Sequence, residues 1–464
     1  MEIRNNDTIR NRWLQFFILL SAPLLTVIDV FIVNISLPSI QESLNATNAQ
    51  LELIITAYLL GYASFMVTGG RAGDYFGRKK IFLWSMIAFV ITSCLCGLTT
   101  SAEILIISRF FQGVSGGFMT PQTLSYLQFL FPEAKARTKA VGYLGITLGT
   151  ASTIGQFLGG YLSSLNTFFE GWRFIFFINL PLGAIAVWGG IKYLTDTPRH
   201  KHKFDFLGII LIITALGTLI YPLTEGRELG WPWWSFAFLS VSLLLFFIFV
   251  TLQGKLKSSG KEPLVDLSLF SIRGFNLGIL SATFYFMVHT SYLLISTLYI
   301  QKGLGIGAFE TGLYFVSLGV AFMLSSFWSI RLVNRFGVYP VQAGLLLMGI
   351  CYTLQLFYFG EHPTALQMHG ILFFTGFGGG LVLPTLVNLS LKKIPPTLIG
   401  TASGVYNTVQ QVASTIGICL VGGIFFNFAE TFGSVVVAFQ YTMMTELVML
   451  SVVFIFISLL GRKK

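Results

Sequence analysis

Apolar residues run in stretches of about twenty along almost the whole 464-residue chain, separated by short polar breaks. A helix needs about 20 apolar residues to cross a bilayer. On that length the pattern predicts fourteen spans: 14–37, 51–70, 81–99, 103–123, 141–162, 173–191, 206–223, 233–252, 274–299, 310–330, 338–358, 365–390, 398–426 and 441–460. The expected fold class is an all-α polytopic membrane protein with 14 transmembrane helices.

The pattern also repeats. Ala151-Ser152-Thr153-Ile154-Gly155 recurs as Ala413-Ser414-Thr415-Ile416-Gly417, an offset of 262 residues. Nearly the same offset carries Pro121 onto Pro384, Pro132 onto Pro395, Gly77 onto Gly337, Ser21-Ala22 onto Ser281-Ala282 and Ile40-Gln41 onto Ile300-Gln301. The chain reads as a duplicated membrane unit, which in membrane proteins usually marks a transporter whose halves rock about a central site. The expected domains are an N-terminal six-helix bundle (1–195), a linker with two inserted transmembrane helices (196–270) and a C-terminal six-helix bundle (271–464). An even number of inserted helices keeps the two bundles parallel, and the inserted pair is expected at the periphery. The linkers flanking it, 197–203 and 255–266, are polar and basic.

Composition sharpens this picture. Hydrophobic residues make up 54% and charged residues 10% of the chain. A soluble chain has about 25% charged residues, so this one cannot present a water-facing surface and must be solvated by lipid. The net charge of +10 would suit a polyanionic partner, but its distribution argues against nucleic acid. With the N-terminus inside, alternate breaks hold 25 of the 29 lysines and arginines, and the outer loops hold only Arg227 and Lys302. That alternation fits cytoplasmic termini. The first span carries Asp29, is too long for a signal core and has no small-residue cleavage site, so it is expected to be retained. Cys94, Cys96, Cys351 and Cys419 all fall in spans without metal-ligand spacing and read as buried small hydrophobes.

Specific motifs follow. The break after the second span reads Gly70-Arg71-Ala72-Gly73-Asp74-Tyr75-Phe76-Gly77-Arg78-Lys79-Lys80. It resembles the G-x-x-x-D-x-x-G-R-[KR]-[KR] loop of the major facilitator superfamily. Its glycines suit a tight turn; Asp74 is expected to cap the third helix, and Arg78 to Lys80 to anchor at anionic headgroups. Asp29-Val30-Phe31-Ile32-Val33-Asn34-Ile35-Ser36-Leu37-Pro38, Thr56-Ala57-Tyr58, the run from Trp172 to Gly183 and the run from Pro263 to Phe270 are similar to segments of its fourteen-helix drug:proton antiporter branch. The resemblance covers the whole chain and implies a major facilitator fold, two parallel six-helix bundles plus two inserted helices. One departure stands out. The branch's fifth-helix motif has a Gly-Pro pair, whereas here Gly155-Gln156 is followed by Gly159-Gly160, so Gln156 replaces a helix-bending proline. The glycines at 145, 149, 155 and 159 still permit close helix packing.

Ionisable side chains inside a span are costly and mark function by default. Asp29, Arg109 and His289 lie roughly 12, 9 and 15 Å from the outer ends of their predicted spans at 1.5 Å per residue, and are expected in one layer of a central cavity. The repeat maps Asp29 onto His289. Asp29 is the expected principal proton site, its protonation set by burial against the charge of Arg109; His289 is a second proton site or a substrate contact. Asp29 also reads as an ion pair with Arg109 that merely holds helices together. Arg109-Phe110-Phe111-Gln112-Gly113 resembles the family's R-x-x-Q-G motif, whose arginine is tied to proton transfer. Asp29, Tyr58, Gln112, Phe118, Tyr285, His289 and Tyr292 are the candidate substrate contacts, the aromatic ones through cation–π attraction. Gly70, Asp74, Gly77, Arg78, Gly155, Gln156, Gly159 and Gly160 are the candidate gating residues. Glu52, Glu103 and Glu446 read as interfacial.

The resemblance implies a proton-coupled secondary exporter of lipophilic, often cationic drugs or toxic compounds, working by alternating access in a bacterial cytoplasmic (inner) membrane. The alternative is an exporter or symporter of one specific metabolite. No Walker motif, H-E-x-x-H, G-x-S-x-G or paired-carboxylate site is present, so neither ATP drive nor an enzyme is expected. No metal or cofactor is expected; the proton gradient is the energy source, and the partners are a small-molecule substrate, protons and the bilayer, with the chain a monomer.

Overall fold

The computed structural model describes residues 12–165, 169–197, 205–259, 263–360, 363–392, 394–395 and 399–461. The terminal basic residues and the linker from Pro198 to Lys203 lie outside them. Among the described residues twelve helices are long and apolar enough to cross a membrane. They are α1 (Arg12–Leu44), α2 (from Asn48, continuing to Phe76), α3 (Arg78–Leu98), α6 (Gly171–Tyr193), α7 (Phe206–Gly226), α8 (Trp233–Ser258), α9 (Arg273–Gly303), α10 (Ala308–Phe336), α11 (Tyr339–Tyr358), α12 (Ala365–Leu391), α13 (Ile399–Phe432) and α14 (Val435–Gly461). Two further long helices, α4 (Ala102–Leu130) and α5 (Ala134–Ser163), pack among them. Every segment expected from the apolar pattern falls on a helix, and most helices run several residues beyond the predicted ends. Asp29 and His289 consequently sit midway along α1 and α9, deeper than the span ends suggested.

Close backbone approach organises each half, and it repeats. A Cβ on Gly61 would lie 2.3 Å from the carbonyl oxygen of Phe110, and one on Gly113 2.0 Å from that of Tyr58, so α2 and α4 cross backbone to backbone. At an offset of 263 residues, a Cβ on Gly376 would lie 2.0 Å from the Leu318 carbonyl oxygen, which joins α10 to α12 in the same way. The five-letter repeat is used equivalently too. Gly155 of α5 abuts Ile28 of α1, and Gly417 of α13 abuts Met287 of α9. Small residues let helices approach this closely, and dispersion attraction at such crossings holds helices together where lipid offers no hydrophobic drive.

Among the described residues the contact between α5 and α10 runs from one end of the bundle to the middle of these helices. There Gly160 faces Ala308 and Gly312, Thr153 faces Gly319 and Gly149 faces Met323. Gln301 donates to the carbonyl of Ile35 at 2.8 Å, and the Lys302 ammonium reaches Gln41. Further along the same stripe of α5, Gly142 and Gly145 are exposed and a Cβ on either would meet nothing within 4 Å. The expected role of Gly145 in helix packing therefore falls away. The splayed end is the one that carries Arg71, Arg78, Lys79 and Lys80.

The inserted helices are not simply peripheral. α7 covers the seam between α2 and α13, where Leu216 and Ile220 pack with Cys419, Leu53, Leu60 and Val412. α8 lies outside α7 and is tied to it by Ser242, whose hydroxyl donates to the Ala215 carbonyl at 2.7 Å.

Candidate functional site

The candidate site is built inside the N-terminal half. Asp29 of α1 is fully buried, and four helices converge on it. Arg109 of α4 ion-pairs with Oδ2. Gln112, one turn on, donates to Oδ1 at 2.8 Å and accepts from the guanidinium at 2.8 Å. Asn179 of α6 donates to Oδ1 at 3.3 Å and to the hydroxyl of Ser93 on α3 at 2.9 Å, and Ser93 donates to the carbonyl of Phe176 at 2.8 Å. The guanidinium donates from Nε to the Ile54 carbonyl at 3.2 Å and lies 4.3 Å from the Tyr58 ring centroid. Local sequence explains the convergence. The glycine crossing of α2 and α4 brings Tyr58 and Arg109 together, and the i, i+3 spacing puts Arg109 and Gln112 on one face. A buried ion pair is tolerable only when its remaining hydrogen-bonding capacity is used, and here Gln112, Asn179 and Ile54 use it. The carboxylate is thus held in a neutral, desolvated unit where one proton changes the net charge.

The other expected residues separate from this group. His289 stacks on Tyr285 at 5.8 Å between centroids and contacts Phe286 edge-on, in the C-terminal half. Among the described residues it has no hydrogen bond or ion pair to Asp29 or Arg109. Tyr285 donates to the Gly379 carbonyl at 3.3 Å. Tyr292 belongs to another polar group within the C-terminal half: it stacks on Tyr352 at 4.6 Å and bonds Gln355 at 3.2 Å. Phe118 packs on Phe65 at 5.5 Å, apart from both groups. Tyr58 supports Arg109 and is buried, so it presents no free face to a ligand in this conformation. The candidate substrate contacts thus fall into separate groups, Asp29, Tyr58 and Gln112 in the N-terminal half and Tyr285, His289 and Tyr292 in the C-terminal half.

The loop residues depart from expectation in a definite way. Gly77 has φ of 100°, a conformation that favours glycine, and Gly337 in the matching loop has φ of 68°. Asp74 does not cap α3. It lies in the last turn of α2 and accepts from Arg78 at 2.8 Å, while Arg78 also donates to the Ser125 carbonyl at 3.0 Å. Lys79 donates to the carbonyls of Ile191 and Leu194, at 3.0 and 2.7 Å. Arg78 and Lys79 thus clamp helix ends, and of the expected headgroup anchors Lys80 alone is exposed. Gly70 meets only ordinary contact, 3.8 Å from Pro121. Gly155, Gly159 and Gly160 are all at close crossings, and Gln156 faces Gly312 where the halves meet.

Two acids read as interfacial are fully buried. Glu52 of α2 accepts from Arg227, the residue that follows α7, at 3.0 Å, and the pair lies against Gly422 and Gly423 of α13. Glu446 of α14 accepts from Ser291 at 3.0 Å. Both were hidden by helix length: α2 and α14 begin before the predicted spans and carry these residues inward. Glu103 does sit at the joined end, in the first turn of α4, where it accepts from Gln50 at 2.7 Å.

The family model described as Major Facilitator Superfamily matches residues 19–207 and 205–418. The chain belongs to this superfamily. Among its superfamily relatives, the probable actinorhodin transporter of Streptomyces coelicolor is 29% identical over 89% of this chain and 72% of its own length. The multidrug resistance protein Stp of Mycobacterium tuberculosis is 29% identical over 86% and 73%, and the multidrug export protein EmrB of Escherichia coli 28% over 85% and 77%. Solved superfamily structures share the fold. A D-xylose-proton symporter superposes with a TM-score of 0.67 over 94% of this chain and 97% of that one, at 14% identity. A bacterial homologue of the human lysosomal transporter Spinster, in an inward-facing and unoccupied conformation, gives 0.69 over 97% of each, at 16% identity. This is a multi-pass membrane transporter of the superfamily, not an enzyme.

Proposed function

We propose that the chain is a proton-coupled exporter of lipophilic, often cationic compounds, with fourteen spans, both termini cytoplasmic and the bacterial inner membrane as its site. The carrying observation is the buried Asp29–Arg109 pair, bonded further to Gln112, Asn179 and the Ile54 carbonyl. Relatives named for multidrug resistance and export support the substrate class. On the proposed topology the splayed, basic end faces the cytoplasm, so the conformation is inward-facing.

The pair supplies the coupling by its charge. With Asp29 ionised, the unit is neutral and a cationic substrate meets no repulsion. With Asp29 protonated, Arg109 leaves a net positive charge in a desolvated interior. At an effective dielectric of 20 and a separation of roughly 8 Å, that charge costs a bound cation about 2 kcal/mol, roughly a thirtyfold weakening. Proton and cation then exclude one another, which is the condition for antiport. Arg109 keeps its bonds to Gln112 and Ile54 in both states and stays in place. Gly160–Gly312 and Thr153–Gly319 form the contact that opens when access switches sides.

A second reading is favoured by other relatives, named for single compounds: actinorhodin, methylenomycin A and tetracenomycin C. On that reading the chain exports one metabolite. Transport driven by a pH gradient in proteoliposomes, run against a panel of lipophilic cations and neutral polycyclic compounds, separates the two. Uptake of several unrelated cations supports the first reading, movement of one compound the second, and movement of none removes both.

A further inference from the structure

Apart from Glu52, which pairs with Arg227 at the seam, the fully buried acids among the described residues are Asp29 in the N-terminal half and Glu446 in the C-terminal half, and the two differ in one respect. Asp29 has a cation; Glu446 has none. Glu446 Oε1 accepts from the Ser291 hydroxyl, and Oε2 has no hydrogen-bond partner among the described residues. The helices packed on α14 are α9 with its π-helical end (Tyr299–Gly303), α11 and α13. Their ionisable groups that interact with the carboxyl are Tyr292 and Tyr352. On α13, Cys419 turns toward α7, and Tyr406 makes no hydrogen bond to the carboxyl. Lys302 reaches Gln41 instead, and His289 stacks on Tyr285. No lysine, arginine or histidine among the described residues pairs with Glu446.

An unpaired carboxylate in such a place is far more costly than a neutral acid. Glu446 is therefore a carboxylic acid here. It is also incompletely satisfied: Glu446 Oε2 and the hydroxyls of Tyr352 and Ser296 are all buried without partners. A fixed polar plug would use those groups, whereas a site that exchanges its proton needs spare ones. Its hydrogen-bond donor rides on a helix that bridges the halves. Gln301, on the π-helical end of α9, donates to Ile35 of α1 at the joined end. A π-helical turn often marks a functional site. Opening of the joined end would break that bond and free the π-helical end of α9, which packs on α14.

We propose that Glu446 is a second proton-binding site, which releases its proton to water on one side and regains one from the other as α9 moves. This deepens the exporter reading and rests on it for the direction of exchange. The net step is one proton carried per cycle, with no bond formed or broken beyond the carboxyl O–H.

The test uses the full chain in lipid and begins without substrate. Infrared difference spectra should contain the carbonyl stretch of a protonated carboxyl at neutral pH. That band should disappear in Glu446→Gln and decline in the wild type as pH rises from about 5 to about 9. Glu446→Asp should keep a titrating band at shifted frequency, which guards against misfolding of the glutamine variant. Ethidium in proteoliposomes supplies the second arm. Glu446→Gln should still exchange ethidium across the membrane when no gradient is imposed, while accumulation driven by a gradient of about one pH unit falls about tenfold, the drive of one lost proton. A carboxyl band insensitive to the substitution or to pH, or gradient-driven accumulation equal to wild type, overturns the proposal. If wild-type protein does not move ethidium, the lipophilic-cation reading fails on its own and the infrared titration still decides the role of Glu446.

Discussion

The two halves share a scaffold and differ in chemistry. Gly113 and Gly376 make equivalent backbone crossings, as do Gly155 and Gly417. The polar interiors built on them are not copies. In the N-terminal half an acid, an arginine and two amides close into one unit around Asp29. In the C-terminal half the equivalent helix position holds His289, stacked on Tyr285, and the buried acid is Glu446 on the last helix. Duplication has preserved the residues that set helix separation and freed those that set charge. The neutral pair of the first half tolerates a cation nearby, whereas the solitary acid of the second can only hold or lose a proton.

The strongest way to break this comparison is to make the first half resemble the second. Arg109→Ala leaves Asp29 buried and unpaired and should cost about 3–5 kcal/mol, seen as a large fall in Tm in detergent. Adding Asp29→Asn to the same chain should recover much of that loss, because the orphan charge is gone. Next in size is Arg227→Ala, which strands Glu52 at the seam. Its Tm should fall by an amount equivalent to about 3 kcal/mol, and spin-label distances across the joined end should lengthen. A third test asks whether the scaffold is duplicated in energy as well as shape. Gly113→Ala and Gly376→Ala each drive a Cβ to 2.0 Å from a backbone oxygen and should destabilise to a similar degree, about 1–3 kcal/mol; a silent Gly376→Ala would deny the equivalence.

The smallest effect is at the rim. Glu170 is held below the usual carboxylate range by the hydroxyl of Ser43, which donates to it, and then by the guanidinium of Arg173. A depressed carboxyl contributes stability above its unfolded pKa and loses it as pH falls through the folded value. Glu170→Gln should therefore slightly lower Tm at neutral pH, leave it unchanged at the acid end where the carboxyl is protonated, and so flatten the acid limb of a Tm–pH profile.

Much of the fold was legible because lipid imposes a simple rule: about 20 apolar residues to a span, with basic breaks on one side. The repeat followed from Pro121, Pro384 and the five-letter match. Asp29, Arg109 and Gln112 were found because charge inside a span is rare. Glu52 and Glu446 were missed for the opposite reason, since each stood near a predicted span end where a carboxylate is ordinary. Only the true helix ends reveal them as buried. Asp74 and Arg78 were misread because the motif fixes their spacing but not which neighbour each one bonds. The inserted helices looked detachable in sequence; the Glu52–Arg227 pair, which joins α7 to α2, cannot be inferred from either segment alone.

The central claim is that Asp29 gives and takes the coupling proton, and proton counting tests it most directly. Protons moved per ethidium transported should be measured in proteoliposomes for wild type and Asp29→Asn. The account predicts that the variant, in which the Arg109 charge is never neutralised, binds ethidium roughly thirtyfold more weakly, moves fewer protons per cation and loses accumulation against a gradient. An Asp29→Asn protein with the wild-type ratio and undiminished accumulation would contradict it.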